Sequence, residues 1–281
     1  MKTLILRAPG LNRDHDVAHA ISLAGGNPEL IHVNRIAEGT VSMSDYGLLI
    51  IPGGFSYGDH LGAGKLLAVD LIHRLGEQLR AFIAAGRPVI GICNGFQVLV
   101  KAGVLPGGMV DDGRWTVGQA SRLPSADQLP STAPRLPSVT LTDNASARFE
   151  CRWVHLAADP ASPCIFTEGL VRPIEVPVAH GEGRLVATNS AVIEQLKAAG
   201  QIALRYVGPD GSSPGYPANP NGSLDNIAGI CNPQGTVLGL MPHPENAVRP
   251  QQHPRWTREP LRAEGDGLAI FRNAVRYAAT C

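Results

Sequence analysis

Short apolar runs alternating with segments of helical period constrain this chain more than any other feature. TLILRAP (3–9), YGLLIIPGG (46–54) and PVIGIC (88–93) read as buried strands. Between the first two, Asp14 is a plausible N-cap for a helix with Val17, Ala20, Ile21 and Ala24 on one face and Gly25 at its end. A short strand over 30–33 follows. Leu67, Leu71, Leu75, Leu79 and Phe82 then mark a helix that stops at Gly86, before Pro88, and GFQVLVKAG (95–103) marks another. This βαβ rhythm predicts a mostly parallel central sheet with helices on both faces and ligands at the carboxyl ends of its strands.

Beyond Gly107 the rhythm changes. Residues 111–137 hold Pro, Ser, Arg and Gln without periodicity and read as a loop insertion. Strands are expected at 138–142, 149–156, 174–183, 201–207 and 236–245, and helices at 189–200 and 267–279. No repeat is evident. The 281 residues, 44% of them hydrophobic, can bury one large core, and a single domain over 1–281 is the expectation.

Composition excludes several classes. Lys+Arg and Asp+Glu both number 24, so no net field steers the chain to nucleic acid or an anionic membrane. No apolar run approaches the roughly 18 residues of a membrane span, and MKTLILRAPG has too short an apolar core for a signal peptide, so a cytoplasmic location is expected. Gly and Pro make up about a fifth of the chain, below the roughly 25–30% of low-complexity proteins. The five cysteines, Cys93, Cys151, Cys164, Cys231 and Cys281, fall in no CxxC or CxxxH grouping, and neither a disulfide framework nor a metal site is expected.

Gly91-Ile92-Cys93-Asn94-Gly95-Phe96-Gln97 lies where an apolar strand meets a helix. A nucleophile on such a turn is held tightly, with small residues two positions either side letting the backbone approach its neighbours. The helix N-terminus favours a thiolate and can stabilise an oxyanion. Ile51-Pro52-Gly53-Gly54-Phe55 ends the preceding strand, so a glycine N–H there can complete an oxyanion hole with that of Asn94. Attack on an amide also needs a base that returns its proton to departing ammonia. Met241-Pro242-His243-Pro244-Glu245 offers one: in an extended stretch His243 and Glu245 project to the same side, so the carboxylate can orient the ring.

GICNGFQVL, GGFSYGD, PVAHGEG, the NPNGS and NIAGICN pair, and MPHPENAV together resemble the glutaminase subunit of phosphoribosylformylglycinamidine synthase, a class I (Cys-His-Glu) glutamine amidotransferase of purine biosynthesis. The likeness covers 1 to about 110 and about 138 to 281. It implies a flavodoxin-like α/β fold, with Cys93 as nucleophile, His243 as base and Glu245 as orienter. Gly54 and Asn94 are implied as oxyanion donors, and Gln97 with Ala179, His180 and Gly181 as substrate contacts. It further implies that the ammonia goes to a synthetase subunit, with a small accessory subunit as a further partner, and that ATP and Mg belong to the synthetase. The chain has no GxxxxGK[ST] loop; GAGKLL (62–67) lacks the spacing. Where that family often carries a Cys this chain has Arg13, and FECRWVHL and SPCIFTEG are closer to the large single-chain form of the enzyme. The segments 111–137 and 253–260 exceed the short bacterial pattern.

Two other readings use the same elbow: the glutaminase of a different class I amidotransferase, in which GGFSYGD and PVAHGEG would be unexpected, and a flavodoxin-like cysteine hydrolase. Hydrolases of that kind commonly take their His soon after the Cys, and residues 94–154 contain none.

Overall fold

The computed structural model describes residues 1–109, 115–116, 138–212 and 214–281. Apart from 115–116, the expected insertion at 111–137 lies outside the described residues. Along the chain come β1 (Lys2–Arg7), α1 (Asp14–Leu23), β2 (Asn27–His32), α2 (Val33–Ala37), β3 (Leu48–Ile51), α3 (Lys65–His73), α4 (Gly76–Ala84), β4 (Val89–Ile92) and α5 (Asn94–Lys101). There follow β5 (Gly108–Met109), β6 (Trp115–Thr116), β7 (Val139–Asp143), β8 (Glu150–Ala158), β9 (Ile174–His180), β10 (Glu182–Ala187) and α6 (Ser190–Ala198). The last elements are β11 (Ile202–Val207), β12 (Ile227–Cys231), β13 (Val237–Leu240) and α7 (Leu268–Ala278).

Nine strands form one sheet in the order β2-β1-β3-β4-β13-β12-β11-β8-β9. The ladders from β2 to β13 are parallel, and those from β13 to β9 are antiparallel. The predicted parallel sheet is therefore the half that carries the thiol, and the later strands extend it. Every residue of β3, β4 and β13 is buried, and since successive side chains point to opposite faces, both faces are covered. α1 packs with α7, and α3 packs with α4 and α5. Ile51 pairs with Gly91 and Ile92 with Leu240, so β3, β4 and β13 end level, and their following residues emerge at one edge.

Several elements depart from expectation for local reasons. The single helix read through 67–82 is two, α3 and α4, split at Arg74 and Leu75. A strict spacing of four drifts about 40° per step around a 3.6-residue helix, so a straight helix cannot keep all five apolar residues on one face. The strand read over 174–183 ends at His180, and Glu182 starts β10, which pairs with β7 in a separate two-stranded sheet. Arg13, not Asp14, occupies the N-cap of α1. Buried Asp14 is the first helical residue, where its carboxylate takes the His15 N–H at 3.0 Å and meets Arg7 Nε at 2.7 Å. β12, wholly buried, was not anticipated as a strand.

Candidate active site

Cys93 stands between β4 and α5 with φ 52° and ψ −106°. Such a conformation costs a non-glycine residue roughly 1–3 kcal/mol, so the surroundings must impose it. They do: the Cys93 N–H bonds Leu240 O at 2.8 Å, and its carbonyl accepts from Phe96 N at 3.0 Å and Gln97 N at 3.2 Å. Gly95 allows the close approach, because a Cβ there would lie 2.0 Å from Ile51 O. The thiol is 7% exposed and its Sγ lies 4.0 Å from Ala179 O.

His243 and Glu245 leave the tip of the neighbouring strand, β13. The His243 N–H bonds Pro177 O on β9 at 2.8 Å, and Nδ1 meets Glu245 Oε1 at 2.6 Å. The pair forms in a 3₁₀ turn over Pro244–Ala247 rather than in the extended stretch expected, because the proline continues directly into a helical turn. Burial pushes the imidazole pKa down, but the charges of Glu245 and Cys93 outweigh it and hold His243 at about 10. Among the described residues His243 Nε2 is buried without a hydrogen-bond partner. A Cβ built on Gly53 would meet His243 Cε1 at 2.8 Å and Cys93 Cβ at 3.4 Å, so imidazole and thiol flank the same glycine.

Gly53 and Gly54 form the third strand tip. The Gly53 carbonyl accepts from Asn12 N and Arg13 N, both at 3.3 Å, and Phe55 N bonds Gly10 O at 2.9 Å. Gly54 has φ 138°, a conformation that favours glycine, and its amide donates to no backbone group among the described residues. The Asn94 side chain takes the Ser56 N–H and donates to Asp59 Oδ1 and to Gln97 Oε1, both at 3.1 Å. Gln97 Nε2 in turn donates to Glu182 O at 2.7 Å, joining α5 to the far wall.

These groups surround a cavity of about 520 Å³. Of the predicted residues, Gly54, Phe55, Cys93, Gln97, Ala179, His180, Gly181 and His243 line it. Gly53, Asn94 and Glu245 stand behind that lining. His180 bonds Asn144 Oδ1 through Nδ1 at 3.1 Å; since Asn144 Nδ2 donates to Arg148 O and His180 O, the ring must be the donor. Burial, reinforced by the charge of His243, lowers the His180 pKa to about 3 and keeps the ring neutral. Sequence reasoning missed Asn12, Asp59, Asp143, Arg148, Phe149 and Glu182, all in the lining. Asp59 and Glu182 lie inside quoted motifs, whereas Asp143 and Arg148 had only the turn-forming composition of TDNASAR to mark them. Among the described residues no group of His, Cys, Asp and Glu could hold a metal ion, and no helix is long and apolar enough to cross a membrane.

A thiol elbow on a parallel sheet, beside a carboxylate-held histidine, is the arrangement expected of a glutamine amidotransferase. The family of CobB/CobQ-like glutamine amidotransferase domains matches residues 1–278. Phosphoribosylformylglycinamidine synthase subunit PurQ of Dehalococcoides mccartyi is 46% identical over 280 residues, covering 99% of this chain and 98% of that one. The same subunit of Treponema denticola is 48% identical over 255 residues, 88% of each chain. A chain in the structure of PurLQS from Thermotoga maritima superposes with a TM-score of 0.68 at 29% identity, covering 98% of both chains. The chain belongs to the glutamine amidotransferase family and, within it, to the PurQ subunits of phosphoribosylformylglycinamidine synthase.

Proposed function

We propose that this chain, acting as one amidotransferase domain, hydrolyses glutamine to glutamate and ammonia on Cys93. The ammonia goes to a partner synthetase that converts formylglycinamide ribonucleotide to phosphoribosylformylglycinamidine in purine biosynthesis. The observation that carries the reading is the strained elbow of Cys93 beside the 2.6 Å His243–Glu245 pair, on adjacent strand tips around one cavity. Cys93 attacks the carboxamide carbon, and the N–H groups of Gly54 and Asn94 receive the developing oxyanion. His243 passes a proton to the departing ammonia and then activates the water that releases glutamate, while Glu245 holds the ring. Gln97 and the 179–181 turn form the substrate wall.

The names of the relatives support a synthetase partner, and the PurLQS assembly accords with the expected small accessory subunit. ATP and Mg are assigned to the synthetase, and a cytoplasmic location accords with this role. The experiment is glutamate release from glutamine by the chain alone and with its synthetase partner, nucleotide and acceptor. Slow release alone and fast release in the complex is the expected outcome, because hydrolysis without an acceptor wastes ammonia and the Gly53-Gly54 peptide can complete the oxyanion hole on closure. Absence of glutamate in both samples contradicts the function. Full activity of the lone chain sinks the gating alone.

A further inference from the structure

The wall facing Cys93 includes a loop that no part of the proposed chemistry uses. It follows β7 and is organised from within by Asn144, 2% exposed, whose N–H bonds Gly181 O at 2.9 Å. Asn144 Nδ2 donates to His180 O at 2.8 Å and to Arg148 O at 2.9 Å. Ala147, at φ 52°, bonds Asn144 O at 2.8 Å, and the Ala145 N–H bonds Asn221 O at 3.0 Å. The backbone is thus tied to the substrate wall on one side and to the NPNGS segment on the other.

Asp143 and Arg148 flank this fixed turn and both line the cavity. Among the described residues neither side chain has a hydrogen bond or ion pair with another protein group. Of the other charged groups of the lining, Arg13 pairs with Asp16 at 3.2 Å, Asp59 with Asn94 at 3.1 Å and His243 with Glu245 at 2.6 Å, while the Glu182 carboxylate, on the neighbouring turn, has no hydrogen-bond or ion-pair partner among the described residues. A cation and an anion without partners among the described residues, carried by one loop, match a ligand with both charges on one carbon. A free amino acid is such a ligand. Extended glutamine separates its α-carboxylate from the reacting carboxamide carbon by roughly 5 Å, which places its charged end away from the thiol within the same cavity.

We propose that Arg148 binds the α-carboxylate of glutamine and Asp143 its α-ammonium, so that the loop admits free glutamine and rejects its blocked forms. The inference rests on the cavity being the glutamine site. A guanidinium pairs with a carboxylate through two parallel N–H bonds, which gives orientation as well as affinity. Asp143 then accepts from the ammonium beside it.

The test compares kcat/KM for glutamine, glutamine α-methyl ester and N-acetylglutamine in the assembled complex with the synthetase partner. Arg148→Met should lower the value for glutamine about 10- to 100-fold and leave that for the methyl ester within about twofold, abolishing the preference between them. Arg148→Lys, which keeps the charge, should recover part of it. Asp143→Asn should do the same to the preference over N-acetylglutamine. Equal losses on glutamine and ester in Arg148→Met, or an unchanged preference, overturns the proposal. Cys93→Ala in the same assay separates the two levels: continued glutamate release means that the cavity reading has failed, whereas silence with an unchanged Arg148→Met preference means that only the loop assignment has.

Discussion

Two buried histidines line one cavity from opposite halves of the sheet, and their protonation is driven in opposite directions. His243, at the tip of a strand in the parallel half, has a carboxylate against Nδ1 and is held at about 10. His180, at the end of β9 in the antiparallel half, has an amide oxygen against Nδ1 and falls to about 3. Burial acts on both in the same sense; the charges of Glu245 and Cys93 overcome it at His243, and the charge of His243 reinforces it at His180. In the proposed mechanism the ring held by a carboxylate is the proton carrier; the amide fixes the tautomer of the other ring, which burial keeps neutral. On the proposed function, the parallel half supplies the reactive groups and the antiparallel half a polar wall.

Removing the carrier should have the largest effect. His243→Ala is expected to slow glutamine hydrolysis by the complex roughly 10²- to 10⁴-fold, read as initial rates of glutamate release. Glu245→Gln should be milder, since the base stays but is poorly held. Rates equal to wild type at neutral pH for His243→Ala would erase the distinction between the walls.

The histidines also divide the pH dependence of stability. The raised pKa of His243 contributes stability that is fully present below its unfolded value near 6.5 and is lost as pH rises through about 10. The lowered pKa of His180 works the other way: the unfolded ring binds a proton that the folded ring refuses, so stability falls as pH drops from about 6.5 to about 3. Denaturation midpoints across pH should show a shallower acid limb in His180→Asn than in wild type, and an unchanged limb would count against the neutral assignment.

Asn144→Ala tests the polar wall itself. It strands the His180 Nδ1–H and the His180 and Arg148 carbonyls, and should cost about 1–3 kcal/mol in urea denaturation. A loss below about 0.5 kcal/mol would mean that the loop is not held by this residue. Smallest of all, Cys151→Ser and Cys281→Ser, at exposed positions, should stay within about 0.5 kcal/mol of wild type with unchanged glutaminase rates. Buried Cys164 and Cys231 should show packing losses when changed to Ala, without loss of turnover.

The two halves also differ in how far the sequence revealed them. β3, β4 and β13 are short apolar runs ending in glycine- or proline-bearing turns, and Cys93 and His243 sit immediately beyond such ends, so local pattern located both. The facing wall is lined from residues 143–149 and 179–182 and held by 219–223 behind it, through side-chain hydrogen bonds between segments distant in the chain. No local period records a bond such as Asn221 Nδ2 to Gly183 O at 2.8 Å. The resemblance marked the 179–181 turn of PVAHGEG as a substrate contact but gave NPNGS no role; the structure shows that NPNGS ties down the wall through Asn221 and Ser223. The splitting of α3 from α4 was hidden because leucines spaced by four imitate a helical stripe while exceeding its true period.

The central claim, that glutamine chemistry is confined to the thiol of this chain, is tested most directly by Cys93→Ala in the reconstituted complex. Phosphoribosylformylglycinamidine formation should be measured with glutamine and, separately, with ammonium salt as nitrogen source. Complete loss with glutamine and an undiminished rate with ammonia is the predicted result. Substantial product and glutamate formation from glutamine by Cys93→Ala would contradict it.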